Sequence, residues 1–159
     1  MGTDYHFHVC RRTKDNKWKE LLFYKKNEEN KYEPVRINYG RHHTLYECLR
    51  ESSATFKFSP DLAAGEFKEL LEDRFPKDKS FTGYLDLEYA NLADLKLYLY
   101  SNPTIEDEYG EELPDGSLPL VENPIATLIK DAESIINFMD DSWESVCLSD
   151  YCIVFYCDV

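Results

Sequence analysis

Beyond Tyr100 the chain has a single basic residue, Lys130, against fourteen acids running from Glu106 to Asp158. The first hundred residues are balanced, so the whole formal charge of −13 belongs to the last third. An acidic third on a neutral body repels nucleic acid and anionic membranes and attracts basic protein surfaces. Other absences narrow the class further. No run of about 18 apolar residues is present to cross a membrane. Met1-Gly2-Thr3-Asp4 lacks the basic and apolar regions of a secretory signal. The myristoylation pattern wants Ser or Thr at position six, which is His6. Five cysteines, an odd number without a secretory signal, predict reduced thiols. Together these predict a soluble protein of the cytoplasm. No Gly-x-Ser-x-Gly, Walker loop or dinucleotide fingerprint occurs. The sequence therefore names no reaction.

What is present predicts a folded domain. A chain of 159 residues is most simply one domain with a real core. Aromatics make up 14%, including 12 Tyr, a content disordered chains lack. Tyr buries its ring while keeping its hydroxyl wet, which suits sheet surfaces and interfaces.

Asp4 to Cys10 alternates, Tyr5, Phe7 and Val9 on one face and Asp4, His6, His8 and Cys10 on the other, as a strand with one buried face does. Residues 13–17 are turn chemistry, and Trp18 to Tyr24 returns as a second strand. Lys25 to Lys31 reads as a loop. Tyr32 to Asn38 reads as a third strand, with Pro34 placing it at an edge. Thr44 and Glu47 form a capping box for a short helix carrying Leu45 and Leu49. Ser59-Pro60 opens another, lined by Leu62, Ala63, Phe67, Leu70 and Leu71. Phe81 to Leu87 is expected to be extended. Asn91 caps Leu92 to Tyr100, with strand as the alternative. Ser101 to Asn123 reads as a long exposed acidic loop. After Asn123-Pro124, an apolar stripe at helical spacing runs from Ile125 through Leu128, Ile129, Ala132, Ile135 and Ile136 to Met139. Tyr151 to Cys157 is nearly continuous in β-formers, as in a strand covered on both faces. The whole predicts a single α+β domain, 1–159: a mostly antiparallel sheet including both terminal strands, packed with three to four helices.

Three constellations are candidate sites. Alternate residues of a strand project side by side, so His6 and His8 with Asp4 or Cys10 are a candidate set for a divalent metal such as zinc. The competing reading is a polar outer strand face. Arg41, His42 and His43 stand at a loop-to-helix junction, where a cation and backbone N–H groups can hold an anion and an imidazole can act as a base. Convergence of all four histidines in one cleft would join the two sets. The third constellation is the acidic loop, where Glu106, Asp107, Glu108, Glu111, Glu112 and Asp115 are candidate partner-binding residues. Cys152 and Cys157 stand an odd number apart, face opposite sides of the last strand and are expected to be buried. The bases Arg11, Arg12, Lys14, Lys17, Lys19, Lys25 and Lys26 crowd the first hairpin, but interleaved acids dilute them. Direct nucleic-acid binding is not expected.

Three stretches carry a resemblance. Met1-Gly2-Thr3-Asp4-Tyr5-His6 resembles the Met-Gly-x-Asp-Ile-His opening of small uncharacterised proteins of tailed phages and prophages. Gly40-Arg41-His42-His43-Thr44-Leu45-Tyr46 resembles their Arg-Asn-Tyr-x-Leu-Phe segment, departing from it at His42-His43. Ile153-Val154-Phe155-Tyr156-Cys157-Asp158 resembles their Val-Phe-x-Phe-Asp close. The resemblance implies a phage or mobile-element origin, hence a bacterial host cytoplasm, and brings no activity with it. The expected function is non-enzymatic: an acidic protein binding a host protein with a basic surface, such as a nucleic-acid-handling or defence protein, without a cofactor. The alternative is a small metal-dependent or phosphate-handling enzyme built on the His-x-His strand.

Overall fold

The computed structural model describes residues 4–35, 37–52, 54–74, 87–139 and 147–158. Strand β1 (Asp4–Arg12) turns through residues 13–17 into β2 (Trp18–Glu20). A separate two-stranded ribbon follows, β3 (Phe23–Lys26) with β4 (Tyr32–Val35). Then come α1 (His43–Glu51), β5 (Thr55–Lys57), α2 (Gly65–Arg74), β6 (Glu88–Asn91) and α3 (Leu92–Ser101). A small hairpin of β7 (Thr104–Glu106) and β8 (Leu120–Glu122) precedes α4 (Ile125–Met139) and the last strand, β9 (Tyr151–Asp158). The main sheet is antiparallel throughout, in the order β2-β1-β9-β6-β5. No helix among the described residues is long and apolar enough to cross a membrane.

The two terminal strands pair along almost their whole length, from Asp4 opposite Asp158 to Arg11 opposite Tyr151. That register places Tyr5, Phe7 and Val9 beside Ile153, Phe155 and Cys157 on one face, in a core shared with α1, α3 and α4. On the other face Cys10, Cys152 and Val154 meet Trp18, Phe58, Phe67 and Leu71. Burial on both faces is why β9 reads as a continuous run of β-formers rather than an alternation. The α4 stripe from Ile125 to Ile136 is buried as expected, but Met139 is 40% exposed. Each fully buried Leu or Ile of that stripe contributes about 1.5–3 kcal/mol.

Several local expectations are corrected. The Trp18–Tyr24 strand is broken at 21–22, so its first part joins the main sheet and its last part starts the ribbon. That ribbon reaches Lys26, inside the segment read as a loop, and β4 ends at Val35. Ser59-Pro60 begins only a 3-10 turn, Pro60–Leu62, and α2 starts afresh at Gly65, whose φ of +58° suits glycine. Helix α1 is capped by His42, whose Nδ1 accepts the Leu45 N–H at 3.2 Å; Thr44 is occupied elsewhere. Asn91 does cap α3, its Oδ1 accepting from Ala93 and Asp94, and this settles 92–100 as helix. Residues 81–86 of the expected extended segment lie outside the described residues.

Candidate functional site

The acidic segment is built more firmly than a loop. Strands β7 and β8 pair, and Asn123 anchors their base: its N–H donates to Pro103 O at 3.0 Å and its Nδ2 to Asn102 O at 2.9 Å. The same side chain's Oδ1 accepts from Ile125 N–H, so one buried Asn starts α4 and holds the hairpin root. Further out, Asp107 N–H donates to Pro119 O, and Asp107 Oδ1 accepts from Tyr109 N–H at 3.1 Å. Two contacts latch this arm to α1. Thr44 Oγ1 donates to Asp107 Oδ1 at 3.1 Å, and the Tyr109 ring stacks on His43 with centroids 5.3 Å apart. The tip, residues 111–117, is exposed.

Between α1, the end of α3 and the arm lies a groove of about 330 Å³. Glu47 and Glu51 line it from α1, Glu106 and Glu108 from the arm, and Tyr98 and Tyr109 stand among them. Among the described residues no basic side chain lines it. Burial, and then the charges of Glu47, Glu108 and Glu51, raise the Tyr109 hydroxyl pKa. Burial, helped by Cys48 and Glu51, pushes that of Tyr98 up to about 12. Of the acids singled out from sequence, Glu106 and Glu108 are in the groove wall, Asp107 is structural, and Glu111, Glu112 and Asp115 stand at the exposed tip.

The histidines form two separate pairs. His6 and His8 share a face of β1 and both stack on Tyr156, at 4.8 and 5.5 Å between centroids. His8 is buried; its Nδ1 lies 2.8 Å from Glu20 Oε1, and its Nε2 lies 3.3 Å from the Tyr156 hydroxyl. This face is not the outer polar face of the competing reading, because α2 covers it, with Phe67 5.9 Å from the His8 ring. A cavity of about 370 Å³ borders His6 and His8 beside Asn38 and Gly40. The other pair sits with Tyr5, which faces away from His6 and His8. The Tyr5 hydroxyl is hydrogen-bonded to Nδ1 of His43, and the Tyr39 ring lies 6.4 Å from His42. The four histidines therefore do not share a cleft. Arg41 is exposed, and the Leu45 N–H that an anion at this helix start would use is taken by His42. Among the described residues no group of three His, Cys, Asp or Glu is placed to hold a metal ion.

Sequence reasoning missed Glu20, Tyr156, Glu51, Tyr98 and Tyr109, and read Glu47 as part of a capping box rather than a groove wall. Glu20 carried a signal: two residues from Trp18 on a strand, it shares that residue's buried face. The groove carried none, because its walls come from segments about sixty residues apart. Compared with known proteins, the chain matches no family model, no curated protein and no solved structure.

Proposed function

We propose that this is a non-enzymatic binding protein whose acidic arm and root groove engage a basic surface on a protein partner. One observation carries the reading: four carboxylates from α1 and the arm converge with two tyrosines on one groove, with no base lining it among the described residues. Such a groove suits lysine or arginine side chains, which pair with carboxylates and stack on aromatic rings. The arm adds Glu111, Glu112 and Asp115 at its exposed tip, so approach is electrostatically steered. The resemblance to phage and prophage proteins fits this use, since a phage-borne acidic protein can occupy the basic groove of a host nuclease or defence complex. Direct nucleic-acid binding opposes the charge, and no cofactor is needed.

The test is capture from bacterial lysate on immobilised protein at low and physiological salt. The control is a variant with Glu106, Glu108, Glu111 and Glu112 changed to Gln. Recovery of a basic, nucleic-acid-handling protein by the wild type and not by the variant supports the reading. Equal recovery by both, or none by either, removes it.

A further inference from the structure

The molecule also carries a charged feature of the opposite sign. A groove of about 430 Å³ opens at the first hairpin, where Arg11, Arg12, Lys14 and Lys19 outnumber the one exposed acid of its lining, Glu66. Glu20 borders it too, but its carboxylate is buried on His8. Arg12 is held over the Trp18 ring at 5.0 Å, and Lys14 and Lys19 are exposed. The arm tip is its complement in charge. A tight turn, closed by Leu113 N–H to Ser117 O and Gly116 N–H to Leu113 O, both at 2.8 Å, presents Glu111, Glu112 and Asp115 around an exposed Leu113.

Within one chain the two are far apart. The arm is latched near Tyr5, through His43, and the basic groove lies at the Arg12 end of the same strand. From Tyr5 to Arg12 is seven residue steps along the strand, about 23 Å at a strand's rise. We propose that the arm tip docks into the basic groove of a second copy, head to tail. This goes beyond the reading above in naming a second binding surface, and rests on it in treating the arm as a binding element.

The contact is heterologous, so it generates open chains or rings rather than a symmetric dimer. A seven-residue tip buries far less than the ~1,200 Å² of a stable complex, so association is weak. Its salt dependence distinguishes it. Each copy carries −13, and at about 10 mM salt, with a Debye length of about 30 Å, the whole molecules repel. Near 150 mM that length falls to about 8 Å, which screens the distant charges and leaves the tip–groove contacts. At about 1 M those contacts weaken too. Association therefore peaks at intermediate ionic strength.

The experiment is sedimentation velocity on the full chain, over a concentration series reaching the submillimolar range, at about 10 mM, 150 mM and 1 M NaCl. The wild type is expected to gain mass with concentration, most strongly at the middle salt. Two variants follow: a tip variant with Glu111→Gln, Glu112→Gln and Asp115→Asn, and a groove variant with Lys14→Glu and Lys19→Glu. Each alone is expected to associate at least about tenfold more weakly. Mixed, they retain one intact groove and one intact tip, so they form a one-to-one dimer that does not extend. Lys14→Gln with Lys19→Gln replaces the groove variant if charge reversal impairs folding. A monomeric wild type at every salt, unaltered association in either variant, or a mixture that stays monomeric overturns the proposal. Binding of a decalysine peptide by the wild type, measured alongside, separates the two readings: a monomer that binds decalysine keeps the basic-partner reading and loses self-docking.

Discussion

His8 on β1 and Glu20 on β2 meet across the sheet, Nδ1 to Oε1 at 2.8 Å, with both residues buried. The carboxylate fixes the imidazole so that Nε2 points at the Tyr156 hydroxyl, tying three strands together beneath α2. A buried donor left without its partner loses the hydrogen bond and keeps its desolvation. Glu20→Ala is therefore expected to destabilise the fold by about 2–3 kcal/mol, a fall in Tm of roughly 4–10 °C for a chain of this size. Glu20→Gln keeps an acceptor and should lose less. Thermal melts of the two variants test the pair, and an Ala variant that melts with the wild type removes it.

The same geometry bears on metal binding. His8 Nδ1 is committed to Glu20, and no set of three metal-ligating side chains converges among the described residues. Elemental analysis of protein purified without an affinity tag is expected to give zinc well below one per chain, unchanged in a His6→Ala, His8→Ala double variant. Stoichiometric zinc lost in that variant would restore the metal-enzyme alternative.

Much of the fold was legible because its signals are local. The Tyr5, Phe7 and Val9 face of the first strand, the β-former run at Tyr151–Cys157 and the stripe from Ile125 to Ile136 each report burial directly, and these are buried as read. The Asn91 and Asn123 caps were legible for the same reason. The errors arose where distant residues decide. Polar His6 and His8 read as an outer face because nothing local announces that α2 covers it. The acidic segment read as a loop because its short strands are fixed by Asn123 and by the α1 latch, not by their own sequence. The groove is a product of that latch, and so was invisible.

Among the described residues one cysteine is exposed. Cys147 lies at the surface with its thiol 2.8 Å from Ser149 Oγ, whereas Cys10, Cys48, Cys152 and Cys157 are buried. Burial, with Cys152 adjacent, pushes the Cys10 thiol well up, which suppresses the reactive thiolate further. Maleimide labelling of native protein is expected to modify one thiol quickly and the other four only on unfolding. Cys147→Ser should abolish the fast phase; fast labelling that survives it contradicts the burial.

The tyrosines make the fold sensitive to alkali. Burial is the largest cause of the raised pKa of Tyr39, Tyr46 and Tyr98, and Tyr98 reaches about 12. In the unfolded chain the same phenol ionises near pH 10. As pH rises past 10 the unfolded state loses its proton first, so the stability Tyr98 provides is complete below 10 and lost between about 10 and 12. Urea midpoints from pH 8 to 11.5 should fall, and Tyr98→Phe should make the fall shallower. An identical slope in the variant means that Tyr98 does not contribute.

The last prediction separates the arm's charge from its structure. Glu106, Glu108, Glu111 and Glu112 are exposed, and exposed charges contribute little to stability. Changing all four to Gln is expected to leave Tm within a few degrees of the wild type, with a slight gain where self-repulsion is relieved. Association with a basic partner should slow, and its salt dependence should flatten. Asp107 behaves differently. Its Oδ1 accepts from both Thr44 and Tyr109, joining the arm to α1, and its carboxylate also borders Gly110, where an added Cβ would lie 2.9 Å from Pro119 Cγ and 3.0 Å from Asp107 Oδ2. Asp107→Asn preserves the acceptor and should be mild. Asp107→Ala is expected to lower stability by about 1 kcal/mol, and Gly110→Ala to strain the same turn. The signature of both is faster amide exchange at Tyr109 and across β7 and β8, with the main sheet unaffected. Exchange there that matches the wild type in both variants would show that the latch does not hold the arm. Comparable destabilisation by the four Gln changes would show instead that the exposed carboxylates are part of the body.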